Sequence, residues 1–191
     1  MKKRIGLLLT LVLSTCLATF AQEFKAASLW DAHGDIKEIK YSTKDPMMVQ
    51  KKLKFDKNGK LKNSFIVYNE TGYPVALDIN MGMINMSVKF VYSPDNKLTD
   101  IDLTSAYKGE AHKDISFEYK DGVMTQEEIK ATETGKKQKD WEGTYSFSDY
   151  KYDANGNWIS RNVTLKVKNL TDGNTEESTY PETRKITYWA N

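Results

Sequence analysis

Few side chains of this sequence have types and spacing that suit metal or nucleophile chemistry. The two histidines, His33 and His112, lie far apart in the chain. A zinc site takes three or four histidine, cysteine or carboxylate ligands, and neither histidine has such partners at ligand spacing. The sequence therefore predicts no metal site and no cofactor, and both histidines are expected in exposed loops.

Two groups of acidic residues, Asp100 with Asp102 and Glu127 with Glu128, are the candidates for acid–base chemistry. Glycoside hydrolysis uses two facing carboxyl groups. On a strand, Glu127 and Glu128 would point to opposite faces, and Asp100 and Asp102 would share a face that solvent can cover. No nucleophile elbow, phosphate-binding loop or dinucleotide fingerprint occurs. A non-enzymatic protein is predicted, and a carboxylate-based hydrolase is an alternative that a pocket of acids with perturbed pKa values would favour.

Three aromatic residues, Tyr107, Trp141 and Tyr180, lie in or beside segments with the composition of long polar loops. Aromatic side chains in loops form platforms for sugars and apolar ligands. Their structural alternative is to cover the open end of the core. As candidate ligand-binding residues they predict a protein that binds a sugar, a lipid or a protein partner through these loops.

The elements that must position these residues are β-strands, and the clearest pair lies in Tyr150–Val167. Its strands meet at Asp153-Ala154-Asn155-Gly156, which fits a type I turn followed by a glycine in the left-handed region. Asp153 is expected to accept a hydrogen bond from the backbone two residues on. This turn would leave Tyr152 opposite Trp158 on the paired strand.

Weaker copies of this corner recur along the chain. They begin at Phe55, Tyr68 and Tyr92, with Gly59, Gly72 or Asn96 four residues later. The corners Tyr152-Asp-Ala-Asn-Gly156 and Phe55-Asp-Lys-Asn-Gly59 resemble the YD repeats of Rhs-type proteins. They resemble more closely the diverged copies in small secreted, mostly uncharacterised proteins of Gram-negative bacteria. The resemblance implies an extended or rolled antiparallel β-sheet and brings no catalytic residue.

The alternation of apolar residues between corners predicts an all-β fold, an antiparallel up-and-down meander of about eleven strands that is strongly curved or rolled into a barrel-like sheet. Apolar residues change faces within two strands, at Trp158 against Val163 and at Leu98 against Ile101, which indicates either β-bulges or a sheet so curved that both faces are partly covered. In a meander the tight corners after Tyr68, Tyr92, Tyr119 and Tyr152 share one end of the sheet. The other end takes the turn after Phe55, the Gly82 turn and the longer loops. The predicted strands cover residues 36–42, 48–56, 60–68, 73–81, 84–92, 97–106, 112–119, 123–133, 142–152, 157–168 and 183–189, and the longer loops cover residues 107–111, 134–141 and 169–182.

The N-terminus predicts export. Residues 1–21 join three basic residues to a short apolar run and end at Ala21, as in a secretory signal peptide, which leaves residues 22–191 as a single β domain. Without that segment the chain keeps 25 of its 28 basic residues against 26 acidic ones, so no nucleic-acid partner is expected. The predicted location is periplasmic or extracellular, and association with the cell envelope would come through an envelope protein partner.

Two membrane alternatives remain. Cys16, the only cysteine, would carry a lipid anchor in a lipoprotein, but Thr15 before it and the apolar residues after it disfavour that interpretation. A small outer-membrane β-barrel also has short turns at one end and long loops at the other. Charged residues such as Lys113 and Arg161 share faces with apolar ones and disfavour a lipid-facing band. No membrane span is therefore predicted.

Overall fold

A computed structural model describes residues 25–45, 51–62, 64–106, 110–133 and 140–190. The predicted signal peptide, the lipid anchor at Cys16 and the candidate Tyr107 lie outside these residues. The described residues form one antiparallel sheet of eleven strands and a short 3₁₀ helix, as the all-β prediction requires. None of the described helical structure is long and apolar enough to span a bilayer.

The sheet is a meander from its third strand to its last, and the first strand pairs with the last. Its spatial order is β2-β1-β11-β10-β9-β8-β7-β6-β5-β4-β3, so that β2 and β3 are the edge strands. The elements are η1 (Lys25–Trp30), β1 (Ile36–Ser42), β2 (Lys52–Lys54), β3 (Ile66–Tyr68), β4 (Pro74–Met81), β5 (Ile84–Tyr92), β6 (Leu98–Ala106), β7 (Glu110–Lys120), β8 (Val123–Glu133), β9 (Trp141–Tyr152), β10 (Trp158–Asn169) and β11 (Thr175–Tyr188).

The last strand is longer than the sequence predicted. β11 begins at Thr175, whereas residues 169–182 were predicted to be a loop and the strand to start at residue 183. The loop prediction depended on polar side chains, but Thr175–Thr179 pair in register with residues 164–168 of β10. Exposed strands tolerate polar residues on both faces because backbone pairing holds them. Tyr180 is therefore a strand residue.

Strand β3 is shorter than predicted, since only Ile66–Tyr68 of the predicted strand at residues 60–68 pairs with β4. Leu61 instead forms an isolated bridge with Phe55. The Asp56 corner therefore closes locally, and the chain then leaves β2 to start the other edge of the sheet.

The four corners that begin with an aromatic residue adopt the same type of turn. The residue after each aromatic, Asp56, Asn69, Ser93 or Asp153, accepts a side-chain hydrogen bond from the backbone N–H four residues on, at 2.9–3.1 Å. Asp153 also accepts one from the Asn155 N–H at 2.9 Å, as predicted. The residue at the predicted glycine position has a positive φ in every case, from 62° at Asn96 to 87° at Gly72. Tyr152 pairs with Trp158.

Bulges account for the changes of face. The register of β10 against β9 shifts twice between Trp158 and Asn162, and the register of β6 against β5 shifts at the Tyr92–Leu98 pair. Asp149, opposite the second shift, has a φ of 53°. These shifts let Trp158 and Val163 both be buried although their sequence spacing is odd.

The segment before β1 covers the end of the sheet where the tight corners lie. Asn157 is 1% exposed and binds the backbone of His33 twice, since its Oδ1 accepts from the His33 N–H and its Nδ2 donates to the His33 carbonyl, both at 2.8 Å. Ala26 and Ala27 of η1 are buried in a cluster with Ile36, Ile39, Leu53, Phe55 and Trp158. This segment is thus part of the core.

A second buried cluster lies on one face of β8, β9, β10 and β11. It contains Met124, Ile129, Tyr145, Phe147, Val163, Leu165 and Tyr180. We call the face that carries these residues the inner face and the opposite one the outer face. The strand pairs Phe147–Val163 and Val163–Tyr180 join three of them in one row across the sheet.

Candidate functional site

A cavity of about 260 Å³ lies in the inner face, midway along β8, β9, β10 and β11. Its apolar walls are Ile129, Phe147 and Val163, all buried. Six polar or ionisable side chains complete its lining, which are Asp45, Glu127, Tyr145, Arg161, Tyr180 and Glu182. An apolar cavity into which a few polar groups converge is the usual form of a ligand site.

Strand register brings these polar groups together from distant parts of the sequence. Glu127 of β8 pairs with Tyr145 of β9, and Arg161 of β10 pairs with Glu182 of β11. Arg161 lies two residues before Val163 in β10 and therefore shares its face of the sheet. Asp45 follows β1 and receives a hydrogen bond from the Tyr145 hydroxyl at 3.3 Å.

Arg161 and Glu182 form a buried ion pair on one side of the cavity. The Arg161 Nε atom donates to Glu182 Oε2 at 2.7 Å, and the side chains are 11% and 3% exposed. The guanidinium carbon lies 3.7 Å from the ring centroid of Phe147 and 4.2 Å from that of Trp158. Burial alone would lower the pKa of Arg161, but the neighbouring Glu182 and Tyr150 raise it by more. The pKa of Arg161 therefore lies above its ordinary value, and the guanidinium stays positively charged.

Glu127 is a carboxyl group near its titration point at neutral pH. Burial against the inner face raises its pKa to about 7, with Arg161 opposing the change and Asp45 and Glu182 adding to it. An acid that is half protonated at neutral pH can give or take a proton when a charge arrives nearby.

Tyr180 presents a polar atom that the described residues leave unsatisfied. Its side chain is 7% exposed, and its hydroxyl oxygen has no hydrogen-bond partner within the described parts of the chain. Burial raises the pKa of Tyr180 well above its usual value, so the hydroxyl stays protonated. A buried hydroxyl without a partner costs free energy, and in a cavity it marks a place where a bound molecule would supply the partner.

Comparison with known proteins adds no relative. No family model matches the chain, and neither a curated protein nor a solved structure shows significant similarity to it. The assignment of a function therefore depends on the geometry of the site.

The structure separates the three aromatic residues that the sequence selected. Tyr180 lines the cavity, and Tyr107 lies outside the described residues. Trp141 begins β9 at the long-loop end and borders the second cluster without lining the cavity. Its ring lies against Gly143, where an added Cβ would meet Trp141 Cζ3 at 2.9 Å, and Lys113 Nζ lies 5.3 Å from the ring centroid.

Sequence reasoning missed Asp45, Arg161 and Glu182 as site residues and treated Glu127 as incidental. One signal was available: Glu127 and Arg161 occupy positions in step with the apolar residues Ile129 and Val163. A charge in the buried register of a strand requires a partner, and such a charge is a reason to search for a site. The prediction that Glu127 and Glu128 point to opposite faces is confirmed by their burial beside different neighbours, since only Glu127 lines the cavity.

Three side chains that could bind a metal ion lie close together on the outer face, away from the cavity. Asp102, His112 and Asp114 offer atoms that all lie within 4.8 Å of one another. His112 lies in β7 and not in a loop as predicted, and its two ring nitrogens lie 3.6 Å from Asp102 and 3.1 Å from Asp114. These side chains are 45–64% exposed, so the group is also an ordinary surface ion cluster. The other histidine, His33, is exposed before β1, as predicted, with Nε2 3.1 Å from the Asn155 carbonyl.

A wider groove of about 630 Å³ lies on the outer face near the long-loop end. Its floor is a row of paired residues, Asp78, Ser87, Thr104 and His112, that belongs to the exposed polar side of the sheet. It is larger than the cavity of the inner face but holds no buried ionisable group among the described residues. The smaller cavity is therefore the stronger candidate, because buried polar groups interact more strongly with a ligand than exposed ones do.

Proposed function

We propose that this chain is an exported, soluble, non-enzymatic β-sheet protein that binds a small ligand in the inner-face cavity. The observation that carries the proposal is the buried hydroxyl of Tyr180, which has no partner among the described residues, in a cavity that also holds Glu127 and the Arg161–Glu182 pair. Export is supported by the character of residues 1–21 and by the YD-like corners. An envelope protein bound through Trp141 and Tyr107 is the partner to expect if the long loops carry the function.

We further propose that the sheet is rolled towards a barrel. Within the described residues the edge strands β2 and β3 do not pair with each other, and two contacts near them support the proposal. Tyr68 of the edge strand β3 packs against the cluster that contains Leu53 of the other edge strand, β2. The Tyr68 hydroxyl also accepts a hydrogen bond from the Leu61 N–H at 3.0 Å, across the segment that joins the two edges.

Replacing Tyr180 by phenylalanine tests the binding function. The Tyr180→Phe variant removes only the hydroxyl, so the unligated protein is expected to be as stable as the parent or more stable by about 1 kcal/mol. Ligands found by a thermal-shift screen of amines, sugars and fatty acids are expected to bind the variant about three- to tenfold more weakly.

Tyr152→Phe is the matched control, because Tyr152 is 46% exposed and does not line the cavity, and it should leave affinity unchanged. The proposal fails if no compound of the screen stabilises the parent protein. It fails equally if Tyr180→Phe binds the screened ligands as tightly as the parent does.

One observation favours a second candidate, the carboxylate-based hydrolase. Glu127 has a pKa of about 7 and shares the cavity with Asp45 and Glu182, which is the arrangement that would make it a general acid. Glu182 is held by Arg161, which leaves Asp45 as the second carboxyl group. If the protein only binds its ligand, the parent protein should hydrolyse nitrophenyl glycosides at pH 5–7 no faster than the Glu127→Gln variant does. Turnover that this variant abolishes would establish the hydrolase.

A further inference from the structure

Two polar side chains of the inner-face cavity have hydrogen-bonding capacity that the fold does not use. The Tyr180 hydroxyl is buried and has no hydrogen-bond partner among the described residues. The Glu127 carboxyl group lines the same cavity, and no hydrogen bond engages it within that part of the chain. Polar groups that are taken out of water need partners, so a molecule bound here would supply them to both side chains.

Both groups can donate as well as accept a hydrogen bond at neutral pH. Burial raises the pKa of Tyr180 well above its usual value, so its hydroxyl keeps its hydrogen. Burial also raises the pKa of Glu127 to about 7, so the protonated and the ionised carboxyl group are both populated at pH 7. A hydroxyl group on a ligand likewise donates and accepts, whereas an ammonium group only donates and a carboxylate only accepts. Hydroxyl groups are therefore the best complement to this pair.

The charged side chains of the lining already engage one another or other groups. The Arg161 Nε atom donates to Glu182 Oε2 at 2.7 Å, which occupies the one guanidinium of the lining. Asp45, a further acid, accepts a hydrogen bond from the Tyr145 hydroxyl at 3.3 Å. A charged ligand loses its hydration on entering a buried site, and this is costly unless a free opposite charge receives it. An uncharged ligand avoids that cost.

The two unsatisfied groups lie on opposite sides of an apolar floor. Glu127 belongs to β8 and Tyr180 to β11, and the strands between them, β9 and β10, contribute the paired residues Phe147 and Val163. A sugar ring has the matching layout, because C–H groups form its faces and hydroxyl groups surround its perimeter. The volume of about 260 Å³ is smaller than the roughly 300–1,000 Å³ of sites for drug-sized ligands, so the cavity suits a single ring.

Resting on the proposed binding function, we infer that the inner-face cavity takes an uncharged monosaccharide, with a C–H face of its ring on Phe147 and Val163 and its hydroxyl groups hydrogen-bonded to Glu127 and to the Tyr180 hydroxyl. The Arg161–Glu182 pair borders the site beside Tyr180, because Glu182 lies two residues after Tyr180 on the same face of β11. The pair stays intact in the complex, since the ligand brings no charge to compete for either member.

The test titrates glucose, galactose and mannose calorimetrically into the purified chain at pH 7. At least one of them is expected to bind with a dissociation constant of about 1 mM or tighter. The amino sugar and the uronic acid of the best-binding sugar have the same ring with a charge added, and each should bind about tenfold more weakly. Cyclohexanol keeps a six-membered ring with a single hydroxyl group, and it should also bind about tenfold more weakly than the sugar.

Variants test the two contacts separately. Glu127→Leu removes the carboxyl group and should weaken binding of the best sugar about tenfold, and Tyr180→Phe should weaken it about three- to tenfold. Deoxy sugars identify the hydroxyl group that each residue contacts, because its loss should weaken binding to the parent protein but not to the corresponding variant. Glu118→Leu, at an exposed position of β7, is the matched control and should leave the affinity unchanged.

The outcomes separate this inference from the binding function. If amines or fatty acids of the thermal-shift screen bind and lose affinity in Tyr180→Phe, while none of the three sugars reaches about 1 mM, the sugar is overturned and the binding function stands. The sugar is overturned in the same way if the amino sugar or the uronic acid binds best. If the sugars bind both variants as tightly as the parent, they bind outside the cavity and the inference is wrong. If no compound of the screen binds, both proposals fall.

Discussion

Replacing Arg184 by alanine is expected to lower the free energy of unfolding by about 4 kcal/mol, the largest loss that we anticipate for a single substitution. Arg184 is 4% exposed and donates three hydrogen bonds to backbone carbonyls, to Trp158 at 2.6 Å, to Trp30 at 2.5 Å and to Asp31 at 2.8 Å. Its guanidinium carbon also lies 3.7 Å from the ring centroid of Trp158. Alanine would remove all three donors and one of the two guanidinium groups that lie against the Trp158 ring.

The effect should concentrate on the segment before β1, because Trp30 and Asp31 belong to it. Chemical denaturation would give the loss of stability, which for a chain of this size corresponds to about 12 °C in melting temperature. Hydrogen exchange should show faster opening of residues 25–35 than of β9 and β10. A lysine at the same position keeps the charge but cannot span three carbonyls, so we expect about half of the loss.

Lys185→Ala is the matched control for this substitution, because Lys185 is the exposed neighbour of Arg184 on the other face of β11. It should change stability by less than about 0.5 kcal/mol. If the Arg184→Ala and Lys185→Ala proteins had the same melting temperature, the role that we assign to Arg184 would be contradicted.

Replacing Glu127 by glutamine is expected to stabilise the unligated protein by about 2 kcal/mol at pH 8 and to have little effect at pH 4. Burial raises the pKa of Glu127 from its ordinary value of 4.5 to about 7 in the fold. Below about pH 4.5 the carboxyl group is protonated in both the folded and the unfolded state and costs nothing. Between these two pKa values the unfolded chain loses its proton and the folded chain retains it, so stability falls as the pH rises. Above about pH 7 the cost is constant.

Glutamine carries no charge and therefore escapes this cost. The measurement is the free energy of unfolding in urea at several pH values for the parent protein and for Glu127→Gln. The difference between the two proteins should grow between pH 4 and pH 8. Glu118→Gln, at an exposed position of the neighbouring strand, is the control and should show no such trend. A difference that stays flat with pH would mean that Glu127 is ionised in the fold without cost.

The two effects have opposite signs for one physical reason. Arg184 has three carbonyl partners for its buried charge, so the fold depends on it. Glu127 is buried in a cavity beside other carboxyl groups, so the fold is weakened by its charge. A polar group that weakens an unligated protein is a reasonable place to look for a ligand that offsets the cost on binding.

The corners were predictable because they are local. Asp153, Asn155 and Gly156 determine their turn within four residues, and the same hydrogen bonds recur at the other three corners. The number of strands followed from the alternation of apolar residues, which is also a local pattern. The change of face near Trp158 indicated either a bulge or a curved sheet, and the register shows the bulge. The start of β11 at Thr175 did not follow, because its exposed residues carry no apolar alternation and depend on β10 for pairing.

The candidate site was only partly predictable. Tyr180 was selected, but as a loop residue, and Trp141 lies outside the cavity lining. Glu127 and Arg161 occupy strand positions that alternate in step with apolar residues. These two charged residues were the sign in the sequence that the strands bury polar groups as well as apolar ones. The rest of the lining forms no motif in the chain, because the distances between its side chains are set by strand register and not by sequence spacing.

By itself the sequence determined an antiparallel β-protein of about eleven strands and its tight corners, since each of these depends on residues that are neighbours in the chain. Only the tertiary structure decided that β1 pairs with β11, that the segment from Lys25 covers the corners, and that the three strands β8, β10 and β11 bring Glu127, Arg161, Tyr180 and Glu182 into one cavity. The reason is physical: turns are fixed by local hydrogen bonds, whereas a site is fixed by which strands pair and in what register.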